Sequence, residues 1–151
     1  MLTTRQAARP RILLCEDEPL LALDLEDMLI HRGAQVLGPF SSHAEAMIAV
    51  NDDLPSAAVL DIGLADGNCT ALAEALASRG VPFLVTSGSY PSFHPEIAKL
   101  AELWLIKPLS SERLEEAILT LIERTARHPD AVKHGADSPV AADLPARARI
   151  D

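Results

Sequence analysis

The sequence predicts an α/β domain, a five-stranded parallel sheet with five helices on both faces. Two observations carry that expectation. Five short apolar runs, at 11–15, 34–38, 57–61, 81–88 and 103–106, alternate with segments of helical periodicity or helix-capping chemistry. The runs are almost continuously apolar, the pattern of strands buried on both faces, and a strand–helix alternation closes into a parallel sheet with right-handed crossovers.

Each element has its own signature. "RILLC" (11–15) has the length of a buried strand. Pro19 suits the first turn of the following helix, and Leu21, Leu25, Met28 and Leu29 recur at helical spacing before Gly33 ends it. "AQVLG" (34–38) reads as a second strand stopped by Pro39. Ser42 with Glu45 three residues later is a capping box, opening a helix that runs to about Asn51. "AAVLD" (57–61) is a third strand ending on Asp61, and "ALAEALASRG" (71–80) a helix stopped by Gly80. "VPFLVTSG" (81–88) is a fourth strand entered through Pro82. A short helix (95–102), a fifth strand "LWLI" (103–106) and a long helix (110–127) capped by Ser110 complete the pattern. Residues 11–127 thus form one domain, flanked by segments expected to be disordered at 1–10 and 128–151, the latter rich in Ala, Pro and Asp without periodicity.

Composition narrows the function. Hydrophobic residues are 48% of the 151 and aromatics 3%, so the core must be aliphatic. No apolar run approaches the ~20 residues of a membrane span, and the first ten residues lack a signal peptide's apolar stretch. Cys15 and Cys69 belong to no CxxC pair, which points to a reducing, cytoplasmic setting. Residues 11–126 hold seven basic and 18 acidic side chains. A body that acidic repels phosphate backbones; it suits divalent cations or basic protein surfaces, not nucleic acid.

The acidity concentrates in "CEDE", where Glu16, Asp17 and Glu18 follow a buried run directly. Desolvating adjacent carboxylates is costly unless a positive partner arrives. In an open parallel sheet the ligand site lies at the carboxyl ends of the strands. Those ends deliver Glu16 and Asp17 from strand one, Asp61 from strand three, Thr86 and Ser87 from strand four, and Lys107 from strand five. Carboxylate oxygens suit a hard cation, and Mg²⁺ needs only one or two of them. Taken singly, these are ordinary turn residues; it is their joint order, in step with five strands, that is specific.

That order resembles the receiver domain of two-component response regulators, over residues 11 to about 126. The matching motifs are "CEDE", "LDIGLADG", the Ser87-Gly88 pair and "IKP". The resemblance implies a flavodoxin-like, doubly wound fold and a phosphoacceptor at Asp61. It implies Mg²⁺ held by Asp17 and Asp61, by Glu16 through water, and by the backbone carbonyl of Gly63. It assigns Lys107 and the Ser87 hydroxyl to the phosphoryl oxygens, with Thr86 the alternative hydroxyl, and makes Trp104 the aromatic switch, whose plain reading is a half-buried edge-strand residue. The sequence departs from the family at Ala65, where many members carry Pro, and at Cys69, where many carry Gly. Both changes touch the loop after the acceptor. The histidines at 31, 43, 94, 128 and 134 show no metal spacing and read as surface residues; Asp66-Gly67 reads as turn chemistry.

The function implied is signal transduction in a phosphorelay. A stand-alone receiver would take phosphate from a phosphohistidine on a sensor kinase or phosphotransfer protein and act through a protein partner, catalysing only its own phosphorylation and dephosphorylation. Two alternatives are a pseudo-receiver that binds without phosphorylation and an Asp-nucleophile phosphatase of the haloacid-dehalogenase type. The latter usually needs a second Asp two residues past the nucleophile, where this chain has Gly63.

Overall fold

A computed structural model of the chain describes residues 8–67 and 69–127. Five strands, β1 (Arg11–Cys15), β2 (Gln35–Phe40), β3 (Ala57–Asp61), β4 (Phe83–Ser87) and β5 (Leu103–Ile106), form one parallel sheet in the order β2-β1-β3-β4-β5. Four helices connect them, α1 (Pro19–His31), α2 (His43–Asp52), α3 (Thr70–Ser78) and α4 (Pro95–Ala98), and α5 (Ser111–Arg127) follows β5. The chain reverses its winding direction between β1 and β3, so the crevice beyond their carboxyl ends is where such a sheet opens a site.

Alternate strand residues feed two aliphatic layers. Ile12, Leu14, Val59, Leu84 and Leu105 pack with Leu25 and Leu29 of α1 and Leu114, Ile118 and Leu121 of α5. Leu13, Leu60, Phe83, Val85 and Trp104 pack with Ala46 and Val50 of α2, Leu72 and Leu76 of α3, and Ile97 of α4. This is the period-two alternation of a sheet covered on both faces.

Several element limits differ from the sequence expectation. β2 does not stop at Pro39 but runs to Phe40. β2 is an edge strand, where a residue without an N–H is tolerated, and its register against β1 shifts between Leu13 and Cys15. Gly38 allows the bend: its φ is 108°, and a Cβ there would lie 2.6 Å from the Leu14 carbonyl oxygen. β4 begins at Phe83, not 81, because Val81 still donates to Leu76 O (2.9 Å) in the turn that closes α3 and Pro82 has no N–H for the ladder. α3 accordingly ends at Ser78, and α4 is a single turn ending at Ala98, not 102, preceded by a 3₁₀ turn at Pro91–Phe93. The capping expectations hold. The Ser42 hydroxyl accepts from Glu45 N (3.2 Å) and the Ser110 hydroxyl from Arg113 N (3.3 Å).

The expected disordered segments fall largely outside the described residues, at 1–7 and 128–151. Pro10, within the range 1–10, is tied to the sheet: its carbonyl accepts from Gln35 N at 2.8 Å. No helix among the described residues is long and apolar enough to cross a membrane.

Layer packing generates a graded stability prediction. Leu60 has no exposed surface, whereas Leu23 of α1 is 54% exposed. Leu60→Ala should cost about 3 kcal/mol in denaturant unfolding, and Leu23→Ala under about 1 kcal/mol. Equal losses in the two variants would contradict the assignment of Leu60 to the core.

Candidate functional site

Four strands place the site residues. β1 ends on Cys15, so Glu16 and Asp17 leave the sheet at its carboxyl edge; Glu16 is buried and Asp17 exposed. Asp61 is the last residue of β3 and is buried. Lys107 follows β5 directly, and its backbone N–H donates to Ser87 O at 2.8 Å, which holds its stem against the end of β4.

The side chains converge. Lys107 Nζ donates to Asp61 Oδ2 at 3.0 Å and to Glu16 Oε2 and Oε1 at 3.2 and 3.3 Å. Asp61 Oδ1 accepts from Gly63 N at 2.8 Å, and Glu16 Oε1 accepts from Glu18 N at 3.1 Å. One carboxylate oxygen from each of Glu16, Asp17 and Asp61 lies within 4.8 Å of the others. An all-oxygen, all-anionic donor set of that spacing fits a hard divalent cation such as Mg²⁺.

Electrostatics follow from the crowding. Burial pushes the Glu16 carboxyl above its ordinary value, and the Asp61 charge adds to this against the opposing pull of the Glu18 amide and Lys107. Burial alone would lower the Lys107 ammonium, but its hydrogen bond to Asp61 and the charges of Asp61 and Glu16 hold it above its usual value. Carboxylates outnumber the ammonium here, so Glu16 resists ionising while Lys107 resists losing its proton. Burial, reinforced by Asp61 and Asp66, pushes the Cys69 thiol up to about 12, and Cys15 is raised further still. Both are free, buried thiols poorly disposed to react.

Thr86 and Ser87 are both buried, and they point to opposite layers. Thr86 pairs with Asp61 across the sheet, and its hydroxyl has no hydrogen-bond partner among the described residues. Ser87 is linked to Trp104: Ser87 Oγ accepts from Ser89 N at 3.0 Å, and Trp104 Nε1 donates to Ser89 O at 3.0 Å. Trp104 is wholly buried, not half-buried, despite lying on an edge strand. The single-turn α4 and the loop before it fold over the indole, and His94 stacks on it with ring centroids 6.0 Å apart.

No family model matches the sequence, and no curated protein does. Solved structures do. A CheY-like response regulator receiver domain from Methanospirillum hungatei superposes with a TM-score of 0.69 at 19% identity, over 80% of this chain and 99% of that one. The signal receiver domain of a modulated diguanylate cyclase from Desulfovibrio desulfuricans gives 0.66 at 26% identity, over 80% and 98%. The receiver domain of beryllofluoride-activated NtrC4, a dimer, gives 0.67 at 23%, over 76% and 98%. This chain has the receiver-domain fold. Within that fold Glu16, Asp17, Asp61 and Lys107 share one edge, as their sequence order predicts.

One residue at the site escaped the sequence reading. His43 is not on the surface; it is buried, with Nε2 3.0 Å from the backbone oxygen of Asp61. Its Nδ1 lies 3.2 Å from Asp66 Oδ1 without forming a hydrogen bond. Asp66 does more than turn the chain, since its carboxylate accepts from His43 N (3.1 Å) and Ala44 N (3.0 Å) at the start of α2. The sequence signal was present but ambiguous: a histidine at the first position of a predicted helix, and an Asp in the loop that follows Asp61. His94 is also half-buried against Trp104 rather than free on the surface, while His31 is exposed and residues 128 and 134 lie outside the described range.

The Asp66 cap has a pH signature. The hydrogen bonds from His43 N and Ala44 N hold the Asp66 carboxyl below its ordinary value. A carboxylate lowered in the folded state stabilises it above the unfolded value and loses that contribution as pH falls through the folded one. The stability difference between wild type and Asp66→Asn should therefore be constant above about pH 5 and shrink below about pH 4. A difference independent of pH over that range would rule out an ionised cap.

Proposed function

We propose that this chain accepts a phosphoryl group on Asp61 in two-component signalling and changes its partner binding in response. The observation that carries the reading is the Asp61 carboxylate itself. It is buried at the sheet edge, with Oδ1 held by Gly63 N–H, Oδ2 facing the Lys107 ammonium, and two further carboxylates within 4.8 Å.

The chemistry follows from that arrangement. A carboxylate is a competent nucleophile toward phosphorus, and phosphoryl transfer is catalysed mainly by positioning and by cations. Gly63 N–H engages Oδ1 and fixes the rotamer, which leaves Oδ2 as the attacking oxygen. Oδ2 forms a bond to phosphorus as the P–N bond of a phosphohistidine breaks; the electron pair leaves with the imidazole, which takes up a proton. Asp17 and Asp61, Glu16 through water, and the Gly63 carbonyl would hold Mg²⁺, which when bound would supply the charge neutralisation that the encounter of two anions requires. Lys107 pairs with a phosphoryl oxygen, releasing part of its hold on Asp61, and the Ser87 hydroxyl donates to another. The donor is a sensor histidine kinase or a histidine phosphotransfer protein in the cytoplasm, and the chain turns over no separate substrate. The acidic body disfavours nucleic acid as the partner.

Acetyl phosphate with Mg²⁺ tests the acceptor. Intact-mass measurement should show one added phosphoryl group on wild type and none on Asp61→Asn. Equal labelling of the Asn variant would overturn the assignment, and an unlabelled wild type would favour a pseudo-receiver.

The Ser87–Ser89–Trp104 path supplies the readout. Drawing the Ser87 hydroxyl toward phosphate breaks its bond with Ser89 N and disturbs the oxygen that holds the indole N–H. Trp104 is the chain's single tryptophan. Beryllium fluoride added after Mg²⁺ should shift its emission, with no such step in Asp61→Asn and a weaker one in Ser87→Ala. If Thr86→Ala abolishes the step and Ser87→Ala leaves it intact, the path through Ser89 is not the one used.

A further inference from the structure

The loop between β3 and α3 is closed into a ring by residues from α2. His43 is the first residue of α2, and its side chain is 4% exposed. A carbonyl oxygen can only accept, so the contact at 3.0 Å means that Nε2–H donates to the Asp61 backbone. Asp66, at the far side of the loop, returns to α2 by accepting from the N–H groups of His43 and Ala44. Ser42 caps the next amide, Glu45 N, so the first turn of α2 is satisfied partly by its own cap and partly by the loop. The ring thus runs from Asp61 through Gly63 to Asp66, across to His43, and back to the Asp61 carbonyl. It encloses the Gly63 N–H that orients the Asp61 carboxylate. The loop lacks the proline that many family members carry at position 65, and this ring restrains it by other means.

We propose that His43 is a positioning residue for phosphoryl acceptance: its Nε2–H fixes the Asp61 peptide and, with Asp66, clamps the β3–α3 loop so that Gly63 N–H presents the carboxylate. The proposal rests on Asp61 being the acceptor. Losing the donor leaves a buried carbonyl unpaired and frees the peptide to rotate, and small displacements of a reacting group are costly in rate.

The test uses the full chain with two substitutions. Gln at 43 keeps an amide N–H able to reach the carbonyl; Leu keeps the bulk and loses the donor. With acetyl phosphate and Mg²⁺, His43→Leu should label about tenfold more slowly than wild type, and His43→Gln within about threefold. Without any phosphodonor, amide hydrogen exchange at Gly63 should be faster in His43→Leu and close to wild type in His43→Gln. If the Leu variant does not fold, His43→Asn, whose amide is too short to reach the carbonyl, should show the same slow labelling and fast exchange. Wild-type labelling and Gly63 protection in His43→Leu, or a Gln variant as impaired as Leu at matched melting temperature, would overturn the positioning role. An unlabelled wild type would instead sink the acceptor assignment, and the Gly63 exchange would still decide whether the clamp exists.

Discussion

Lys107 reaches from the end of β5 across the sheet edge to Asp61 at the end of β3 and Glu16 at the end of β1. Two buried carboxylates at one edge would repel each other and strain the strands that carry them. A single ammonium between them offsets much of that cost and ties three strands at the point where the crevice opens. Removing one member of such a group leaves an uncompensated buried charge, so the cluster acts as a unit. With Asp17 close by, the edge carries three carboxylates and one ammonium, an excess of negative charge.

The two aliphatic layers make that edge possible. They bury the sheet on both faces and leave its ends as the outlet for polar groups. The edge strands are handled differently from the centre. β2 accommodates Pro39 and a register shift because no further strand needs its outer hydrogen bonds. β5 is covered by the short α4 segment, whose single turn and preceding 3₁₀ turn bring His94 and the Ser89 carbonyl onto Trp104. The aromatic is thereby tied to the strand end that carries Ser87.

On the α2 side, the loop after Asp61 is held by a helix N-terminus rather than by its own rigidity. Asp66 satisfies amides that the start of any helix leaves open, and His43 uses its place in the first turn to reach the Asp61 peptide. One set of hydrogen bonds therefore serves both the stability of α2 and the geometry of Asp61.

Local chemistry determined the five strands, the five helices and the sheet edge at which Glu16, Asp17, Asp61 and Lys107 meet. Apolar runs, caps at Ser42 and Ser110, and the Pro19 and Gly33 boundaries each act within a few residues, so they are legible in order along the chain. Element ends were less legible where a neighbour decides them. Pro39 ends a strand unless that strand is an edge, and Val81 belongs to a helix cap because Leu76 O is within reach. The same holds for single side chains. Nothing local distinguishes a surface histidine at a helix start from His43, whose partners lie 18 and 23 residues away. Nor does any spacing show that an edge-strand tryptophan will be covered by a loop. Burial and long-range hydrogen bonds depend on which surfaces the packed layers bring together, and that is decided only when the chain closes.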